Sequence, residues 1–518
     1  MNVAAGFDRQ ARETPAARAL HGNHGTTHYG ELREQVRQFA LQLAERGVAT
    51  GDRVALLLPN HPAFAVALLG THWLGAVATV LSPAWAAADA AKALAQADPC
   101  LLVTTRELAR VVGVELANTL LVDDEHDAPA VSVSPCASRG TGMDAPAPRS
   151  ASDPASILFS SGTTSEPKGV VLTHGNLIFN AAAKRRYCGI RPTDRLALVV
   201  PASHCFGQNV VILGALLAGA CVRISPRFDA AETARDILAG DVTMLMAAPP
   251  AFARLLALGD DAPLRALRYA LTAAARVPDA LAARWHEASG RPLSQGYGLT
   301  ECSPFATYRD AVTGDGQDVG RAIEGVDVRI ADQESGGRWL PAGEPGEIVI
   351  RGRNVMAGYW RRPDATAHAL RGGWLRTGDV GTLDATGCLR VIDRVDDMIN
   401  VAGFKAWPSD IERVLATHPL VAEAAAYGIP DAARGRTVAA AVVLRAGASA
   451  EPCELAAFAA ARLATFQRPT MLRVVDALPR SPAGKVLRRA LSAEHQGMDH
   501  ASPTNAERPA TDFPAPSR

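Results

Sequence analysis

Short apolar runs alternate with alanine-rich helical runs along much of the chain. RVALLLP, at residues 53–59, is strand-like and precedes the helical AFAVALLGTHWLG, after which AVATVL is again strand-like. RLALVVP, VVILGALLAG and ACVRIS repeat this alternation further along the chain. Short apolar runs are typical of strands buried on both faces, and their alternation with helices favours a parallel sheet. We therefore predict an α/β architecture with buried, largely parallel strands.

The length of the chain and a change of pattern near residues 391–397 indicate a second domain. A chain of 518 residues exceeds what one hydrophobic core usually supports. Beyond the charged run VIDRVDD we expect, in order, helix IERVLATH, strand VAEAAAYGI, strand TVAAAVVLRAG, helix LAAFAAARLA and strand MLRVVDAL. These elements suffice for an α+β domain of about 100 residues. The segment 126–156, rich in Pro, Ser, Ala and Gly, is expected to be a surface excursion, and the tail from Gln496 to be disordered.

Charge and cysteine usage bear on partners and location. The 53 basic and 53 acidic residues balance, so the chain lacks the basic excess typical of a nucleic-acid binder. The eight cysteines include no CxxC pair, which favours neither a zinc site nor a disulfide framework and is typical of the cytoplasm. The stretch Pro62–Ala88 carries no formal charge and is interrupted by His72, Gly75 and Pro83. It predicts a buried helix and strand, not a transmembrane segment.

The segment Leu158–Asn176, LFSSGTTSEPKGVVLTHGN, has the composition of a phosphate-binding loop. A strand leads into a turn where glycines let backbone amides approach an anion, hydroxyls donate, and a lysine supplies positive charge. The candidate ligands are Ser160, Ser161, Gly162, Thr163, Thr164 and Lys168. The common Gly-x4-Gly-Lys-Ser/Thr pattern is absent. Four residues separate Gly162 from Pro167, which stands where that pattern requires the second glycine, and Lys168 follows. Taken by itself, the segment also fits a polar surface turn.

The order Ser-Gly-Thr-Thr-x-x-Pro-Lys-Gly resembles the signature of the adenylate-forming superfamily, which includes acyl-CoA synthetases, peptide-synthetase adenylation domains and luciferases. The resemblance extends from Gly51 to Arg489, through GDRVALLLPN, SQGYGLTE, GEIVIRGRNVMAGYW, GWLRTGDVG, DRVDDMINVAGFKAWPSDIE and PRSPAGKVLRR. It implies a large N-terminal domain of stacked β-sheets flanked by helices, with a small β-barrel-like part, and a small mobile α+β C-terminal domain. The implied boundaries are 1–393 for the adenylation domain, 394–397 for a hinge, 398–495 for the C-terminal domain and 496–518 for the tail.

The resemblance also implies two half-reactions that use ATP, Mg²⁺ and coenzyme A. A carboxylate attacks the α-phosphate of ATP to give an acyl adenylate and pyrophosphate, and a thiol then displaces AMP. The first step brings an anion to a polyanion, so it needs positive charge and a metal. Lys485 matches the catalytic lysine, Glu301 the magnesium-holding carboxylate, and Thr300 an adjacent hydroxyl that contacts phosphate.

The remaining nucleotide contacts follow from the same resemblance. Tyr297 would stack on adenine, Asp379 would accept both ribose hydroxyls, and Arg394 would add a ribose contact. Backbone segments beside the adenine and around the tyrosine complete the predicted site: Ala273, Ala274, Ala275, Gly296 and Gly298.

His204 matches a residue that lines and gates the acyl pocket. Amino-acid-activating relatives place an aspartate shortly after this position, because a buried ammonium group needs a counter-charge. Residues 205–209, CFGQN, contain no acid, so an uncharged fatty or aromatic acid is favoured. Asp396 matches the hinge, and Gly403 the glycine that admits the thiol-bearing arm.

Three positions depart from the family pattern. Ser165 and Asp393 each replace a glycine, and Arg276 stands where many relatives have proline or a small residue. None of these departures removes a predicted catalytic group, so an active enzyme remains the leading hypothesis.

The leading function is an AMP-forming carboxylate–CoA ligase acting on a small-molecule acid. One alternative is an acyl-AMP ligase that loads the phosphopantetheine of a separate acyl carrier protein. From a different class, the chain would be a catalytically silent nucleotide-binding homologue. Family membership also allows a luciferase-like oxidase, and neither the acid nor the oligomeric state is predicted from the sequence.

Overall fold

The computed structural model describes residues 1–23, 25–113, 119–122, 143–160, 167–312, 317–332, 337–402, 404–431, 434–480 and 486–499. Its contacts divide the chain into two compact units, with the boundary between Val395 and Asp396. The boundary lies inside the segment 394–397, whose role as a hinge stays a prediction.

The first unit contains a mainly parallel sheet that carries the predicted phosphate loop. In the described part of the chain its seven strands lie in the order Gly358–Tyr359, Lys168–Thr173, Pro154–Ser160, Val77–Val80, Arg53–Leu57, Leu101–Thr105 and Thr119–Val122. The last five of these strands pair in parallel, whereas the first two join antiparallel. The α/β class predicted from the alternating pattern is therefore confirmed.

The helix between two of these strands explains the long uncharged stretch. Pro62–Leu74 is buried at every position and leads into the buried strand Val77–Val80, as predicted. His61 caps the helix by accepting the amide of Ala63, and Gly75 ends it in the left-handed conformation. Among the described residues, no helix is both long and apolar enough to cross a membrane.

A second sheet of the first unit joins parallel and antiparallel parts. Thirteen of its fourteen described strands follow the order Val326–Ala331, Gly346–Gly352, Trp374–Leu383, Cys388–Arg394, Asp318–Ala322, Thr307–Arg309, Ser294–Tyr297, Tyr269–Thr272, Met244–Ala247, Arg195–Leu198, Cys221–Ile224, Arg18–Gly22 and Gly25–His28. Leu370–Arg371 pairs with Trp374–Leu383. The sheet changes from parallel to antiparallel at Ser294–Tyr297, so the segment after this strand lies where the two parts meet.

Helices pack on these sheets and build the core. The described helices of the first unit are Val3–Glu13, Tyr29–Glu45, Pro62–Leu74, Ala87–Ala97, Arg106–Val112, His174–Tyr187, Gly214–Leu216, Ala230–Leu238, Pro249–Leu256, Ala262–Ala266, Asp279–Ser289 and Pro363–Ala369. Phe206–Leu213 has π-helical hydrogen bonding, and Thr300–Cys302 and Val395–Asp397 are 3₁₀ turns. The predicted surface excursion is partly held in place, since Trp73 donates to the Met143 carbonyl and Asn2 to that of Ala147.

The second unit is built on its own sheet. Its described strands are Phe404–Ala406, Ile399–Val401, Gly435–Leu444, Val421–Asp431 and Met471–Val474, and its helices are Pro408–Ala416, Pro452–Ala460 and Arg488–Asp499. A 3₁₀ turn spans Thr465–Gln467. The predicted order of helix, strand, strand, helix and strand is confirmed. Val438 and Ala440 pack into one apolar cluster and Ala439 and Ala441 into another, so this central strand is buried on both faces.

Two features of the second unit differ from the sequence predictions. The short pair of strands Ile399–Val401 and Phe404–Ala406 was not predicted, because three-residue strands carry too little pattern. The last helix continues to Asp499, so the prediction of disorder from Gln496 is wrong for its first four residues. Residues 500–518 lie outside the described residues.

Candidate active site

The predicted phosphate loop connects two adjacent antiparallel strands. Pro154–Ser160 pairs with Lys168–Thr173, and Ser160 lies opposite Lys168 in the register. Residues 161–166, which include the predicted Ser161, Gly162, Thr163 and Thr164 and the departure Ser165, lie outside the described residues. Lys168 is therefore fixed in the backbone at the point where the loop rejoins the sheet.

Tyr359 connects this lysine to the predicted metal ligand. The Lys168 ammonium lies 5.4 Å from the centroid of the Tyr359 ring. The Tyr359 hydroxyl donates to Glu301 Oε1 at 2.9 Å. Burial, and then the Glu301 charge, raise the pKa of Tyr359, which keeps this hydroxyl protonated as a donor. Tyr359 lies in the motif GEIVIRGRNVMAGYW, but the sequence predicts no role for this residue.

The backbone holds the same three elements together. Tyr359 lies in a short strand opposite Val170, which follows Lys168 by two residues on the same strand. The Met356 amide donates to the Glu301 carbonyl at 2.9 Å, and the Trp360 amide donates to the Gly169 carbonyl at 2.7 Å. The lysine, the tyrosine and the glutamate thus share a rigid support, although they come from three distant parts of the sequence.

A second charged cluster surrounds Asp379. The Tyr297 hydroxyl donates to Asp379 Oδ2 at 2.6 Å, and Arg394 Nε lies 3.2 Å from Oδ1. Asp379 and Arg394 are directly opposite each other on paired antiparallel strands. Burial and the Asp379 carboxylate raise the pKa of Tyr297 well above its usual value, so its hydroxyl remains a donor. The structure therefore brings together three residues predicted to contact the nucleoside.

The segment around Tyr297 is packed too closely for larger residues. A Cβ atom at Gly298 would lie 2.1 Å from the Pro304 carbonyl oxygen, and one at Gly296 would lie 3.0 Å from the Phe305 ring. Ala274, in the predicted adenine segment, has a φ of 72°. A non-glycine residue in this region is strained and such strain concentrates at functional sites.

The predicted acid-binding residue His204 precedes the π-helical segment. The Phe206 amide donates to His204 Nδ1 at 3.1 Å, so the proton of the neutral ring is on Nε2. Cys205 Sγ lies 3.2 Å from Thr300 Oγ1, which places the start of the π-helical segment against the turn that carries Glu301. Single π-helical turns often occur at functional sites, and no pattern in residues 206–213 predicts this one.

Glu301 is the single predicted metal ligand of the protein. Among the described residues, no three His, Cys, Asp or Glu side chains form a group that could hold a metal ion. Mg²⁺ binds few carboxylates and retains water or phosphate oxygens, so one oriented carboxylate fits this ion. Tyr359 orients that carboxylate, as supporting hydrogen bonds commonly do for metal ligands.

The remaining predicted positions are not brought into this site by the described structure. Lys485 and Gly403 lie outside the described residues, and Asp396 lies in the turn Val395–Asp397. Of the departures, Asp393 is 8% exposed and its Oδ1 accepts the Arg394 amide at 2.8 Å. Nothing in the structure explains Arg276.

The contacts of Asp379 with Tyr297 and Arg394, and of Glu301 with Tyr359, involve residues that the resemblance to the adenylate-forming enzymes assigns to the nucleotide and the metal. Residues 7–360 match the AMP-binding enzyme family and residues 410–485 match the AMP-binding enzyme C-terminal domain. The chain belongs to the AMP-binding enzyme family.

Relatives and solved structures agree with this assignment. The chain is 35% identical over 488 residues to a feruloyl-CoA synthase of Amycolatopsis sp, covering 93% of this chain and 96% of the relative. ATP-bound MatB from Rhodopseudomonas palustris superposes with a TM-score of 0.87 at 28% identity, covering 96% of this chain and 100% of MatB. O-succinylbenzoate coenzyme A synthetase (MenE) from Bacillus subtilis, in complex with ATP and magnesium ion, gives 0.83 at 28% identity over 94% and 99%. The predicted family, and with it the predicted class of AMP-forming acid–thiol ligase, is confirmed.

Proposed function

We propose that this protein activates a carboxylic acid with ATP and Mg²⁺ and transfers the acyl group to coenzyme A. The observation that carries the proposal is the position of Tyr359. Its hydroxyl donates to the Glu301 carboxylate, and its ring faces the Lys168 ammonium at 5.4 Å. A carboxylate and a lysine supported by one ring are the groups needed to bind a metal–triphosphate. The CoA-ligase and ATP-bound relatives support the choice of substrates.

The nucleoside would bind at the second cluster. Asp379 accepts two hydrogen bonds from ribose hydroxyls, Arg394 holds that carboxylate and adds a ribose contact, and the Tyr297 ring stacks on adenine. Ala273, Ala274 and Ala275 border the adenine with their backbone, where the strained Ala274 fixes the course of the chain. Because Tyr297 and Arg394 already orient Asp379, the ribose would meet a preorganised acceptor.

The first half-reaction is a displacement at the α-phosphorus of ATP. A carboxylate oxygen of the acid bonds to this phosphorus, and the bond to the bridging oxygen breaks, which releases pyrophosphate. Lys168 and the loop at 160–164 hold the leaving phosphates, Thr300 contacts phosphate, and Lys485 offsets the charge between the acid and the α-phosphate. When bound by Glu301, Mg²⁺ supplies further neutralisation of phosphate charge.

In the second half-reaction the thiol sulfur of coenzyme A attacks the acyl carbonyl carbon, and AMP leaves with the bonding electrons. Asp396 would be the hinge of the rotation that separates the two steps, and Gly403 would leave room for the pantetheine arm. His204, at the start of the π-helical segment, would line the acid pocket. The absence of an acid in residues 205–209 favours a fatty or aromatic acyl group without an ammonium.

The decisive test supplies either coenzyme A or a purified acyl carrier protein bearing phosphopantetheine, together with ATP, Mg²⁺ and a set of carboxylic acids. Pyrophosphate release and the mass of the product are measured. An acyl-CoA thioester is expected. AMP release without a CoA thioester would contradict the proposal, and acylation of the carrier alone would replace it with an acyl-AMP ligase.

A further inference from the structure

A buried lysine lies on the helix that packs against the π-helical segment Phe206–Leu213, which follows His204. Lys184, in the helix His174–Tyr187, is 2% exposed. Its ammonium lies 2.8 Å from the centroid of the Phe305 ring. Among the described residues, no carboxylate forms an ion pair with it, and the charged groups that act on its pKa are the thiols of Cys188, Cys302 and Cys205. Burying an ammonium without a counter-charge is costly, so a structural role in packing alone is a poor reason to keep it.

Two buried amides with unfilled acceptors accompany this lysine. Asn180, one turn earlier on the same helix, donates to the Cys302 carbonyl at 3.4 Å, and Asn209 donates to the Ser303 carbonyl at 3.4 Å. Both amides are 1% exposed, and the oxygen of each has no hydrogen-bond partner within the part of the chain that the structure describes. Buried polar groups are normally satisfied, so these two oxygens indicate a missing hydrogen-bond donor.

This polar cluster borders the π-helical segment Phe206–Leu213, which follows His204. Asn209 belongs to the π-helical segment, and both amides bind the backbone immediately after Glu301. A Cβ atom at Gly214 would lie 3.6 Å from the backbone carbonyl oxygen of Asn209 and 3.9 Å from Lys184 Cβ. The helix and the π-helical segment are therefore in close contact here. The cluster therefore lies between the π-helical segment that follows His204 and the backbone that follows Glu301.

We propose that Lys184, together with Asn180 and Asn209, binds an oxygen atom of the acid substrate that is remote from its reacting carboxylate. The preferred substrates are then acids with a distal hydroxyl group, because a hydroxyl can donate to the unfilled amide oxygens and accept from the lysine. This inference rests on the proposed function, since it concerns the acid of the same reaction. It makes Lys184 a specificity-determining residue that takes no part in the chemical step.

The charge state of the lysine agrees with this role. Burial lowers the pKa of Lys184 to about 7, so the amine both donates and accepts hydrogen bonds near neutral pH. A site built to hydrogen-bond a substrate oxygen rejects the analogue that lacks it, because the protein groups then remain unpaired. Discrimination within a pair of acids that differ by one oxygen function is therefore the expected signature.

The test compares matched acids on the full-length protein. The pairs are cinnamate with 4-hydroxycinnamate, and hexanoate with 6-hydroxyhexanoate, so the same hydroxyl is tested on an aromatic and on an aliphatic acid. For wild type we expect kcat/KM for pyrophosphate release to be at least about 10-fold higher for the oxygenated member of one pair. Lys184→Met should remove this preference by lowering kcat/KM for the oxygenated acid, with less than about threefold change for its partner.

Two further variants control the comparison. Lys92→Met makes the same change at an exposed lysine and should leave both preferences intact. Lys184→Gln retains a hydrogen-bond donor and should keep part of the preference for a hydroxyl. If wild type shows no preference within either pair, or if Lys184→Met lowers both members equally, the inference is overturned. If wild type releases no pyrophosphate with any carboxylic acid, the proposed function fails as well.

Discussion

The nucleotide side and the acid side of the site differ in how their polar groups are satisfied. On the nucleotide side, Asp379 is already held by Tyr297 and Arg394, and Glu301 by Tyr359. On the acid side, the ammonium of Lys184 has no described carboxylate partner, and two nearby amide oxygens have no hydrogen bond.

This difference indicates how one fold serves many acids. The nucleotide does not change between relatives, so its ligands can be oriented in advance by other side chains. The acid does change, and unfilled hydrogen-bonding positions are a means to select it. The nucleotide side should therefore respond to substitution with losses in rate or ATP affinity, and the acid side with changes in specificity.

Lys485→Ala should produce the largest effect on the nucleotide side. We propose that the Lys485 ammonium lies between the carboxylate of the acid and the α-phosphate of ATP. Its loss should lower the rate of pyrophosphate release at least about 100-fold, as the removal of one preorganised donor does in other enzymes. ATP binding, measured by calorimetry, should change by less than about threefold, because Lys168 and Asp379 remain. Unchanged pyrophosphate release would contradict the assigned role.

Asp379→Ala should raise KM for ATP by about 100-fold, since it removes the proposed acceptor of both ribose hydroxyls. Tyr297→Phe removes one hydrogen bond to this carboxylate while keeping the ring, and about a 10-fold rise is expected. Steady-state kinetics with varied ATP check both values. Equal and small effects of the two substitutions would mean that Asp379 does not contact the nucleoside.

Tyr359→Phe should weaken the response to magnesium. The loss of the hydrogen bond to Glu301 should raise the Mg²⁺ concentration for half-maximal activity by about 10-fold, with most of the rate recovered at saturation. Tyr308→Phe is the matched control, because its hydroxyl contacts Tyr269 and not Glu301. If both variants behave alike in a Mg²⁺ titration, Tyr359 has no role in orienting the metal ligand.

The smallest effect concerns stability behind the acid side. Gln208 of the π-helical segment donates to Ser156, which also contacts His72, and the His72 ring packs edge-on against His174. Burial lowers the pKa of His72 to about 4 and that of His174 to about 2. Below pH 6.5 the unfolded chain therefore binds protons that the folded chain does not, so stability should be full above pH 6.5 and fall with acidification.

Urea unfolding between pH 7 and pH 4.5 measures this effect. The slope of the unfolding free energy with pH gives the number of protons bound on unfolding. His72→Gln should lower that number by about one, because one of the two histidines is removed. A pH dependence identical to that of wild type would show that His72 does not remain neutral in the folded protein.

The alternating pattern predicts the α/β class, and the resemblance of short contiguous motifs to the adenylate-forming superfamily predicts the nucleotide residues. Tyr297, Glu301 and Asp379 were named on that basis, and the structure places Tyr297 and Asp379 in contact. Lys184 could not be singled out, since KRRY at a helix end has the composition of a solvated basic surface. Its burial depends on Phe305 and Cys302, which are distant in sequence. The π-helical segment likewise has no sequence signature that distinguishes it from an α-helix.

The most direct test of the central proposal is mass spectrometry of the reaction run in two stages. With ATP, Mg²⁺ and a carboxylic acid but no thiol, the protein should accumulate an acyl adenylate and one equivalent of pyrophosphate. Addition of coenzyme A should then convert the adenylate to an acyl-CoA thioester and AMP. Release of phosphate and ADP, or the absence of any acyl adenylate across fatty, hydroxyaryl and dicarboxylic acids, would contradict the account.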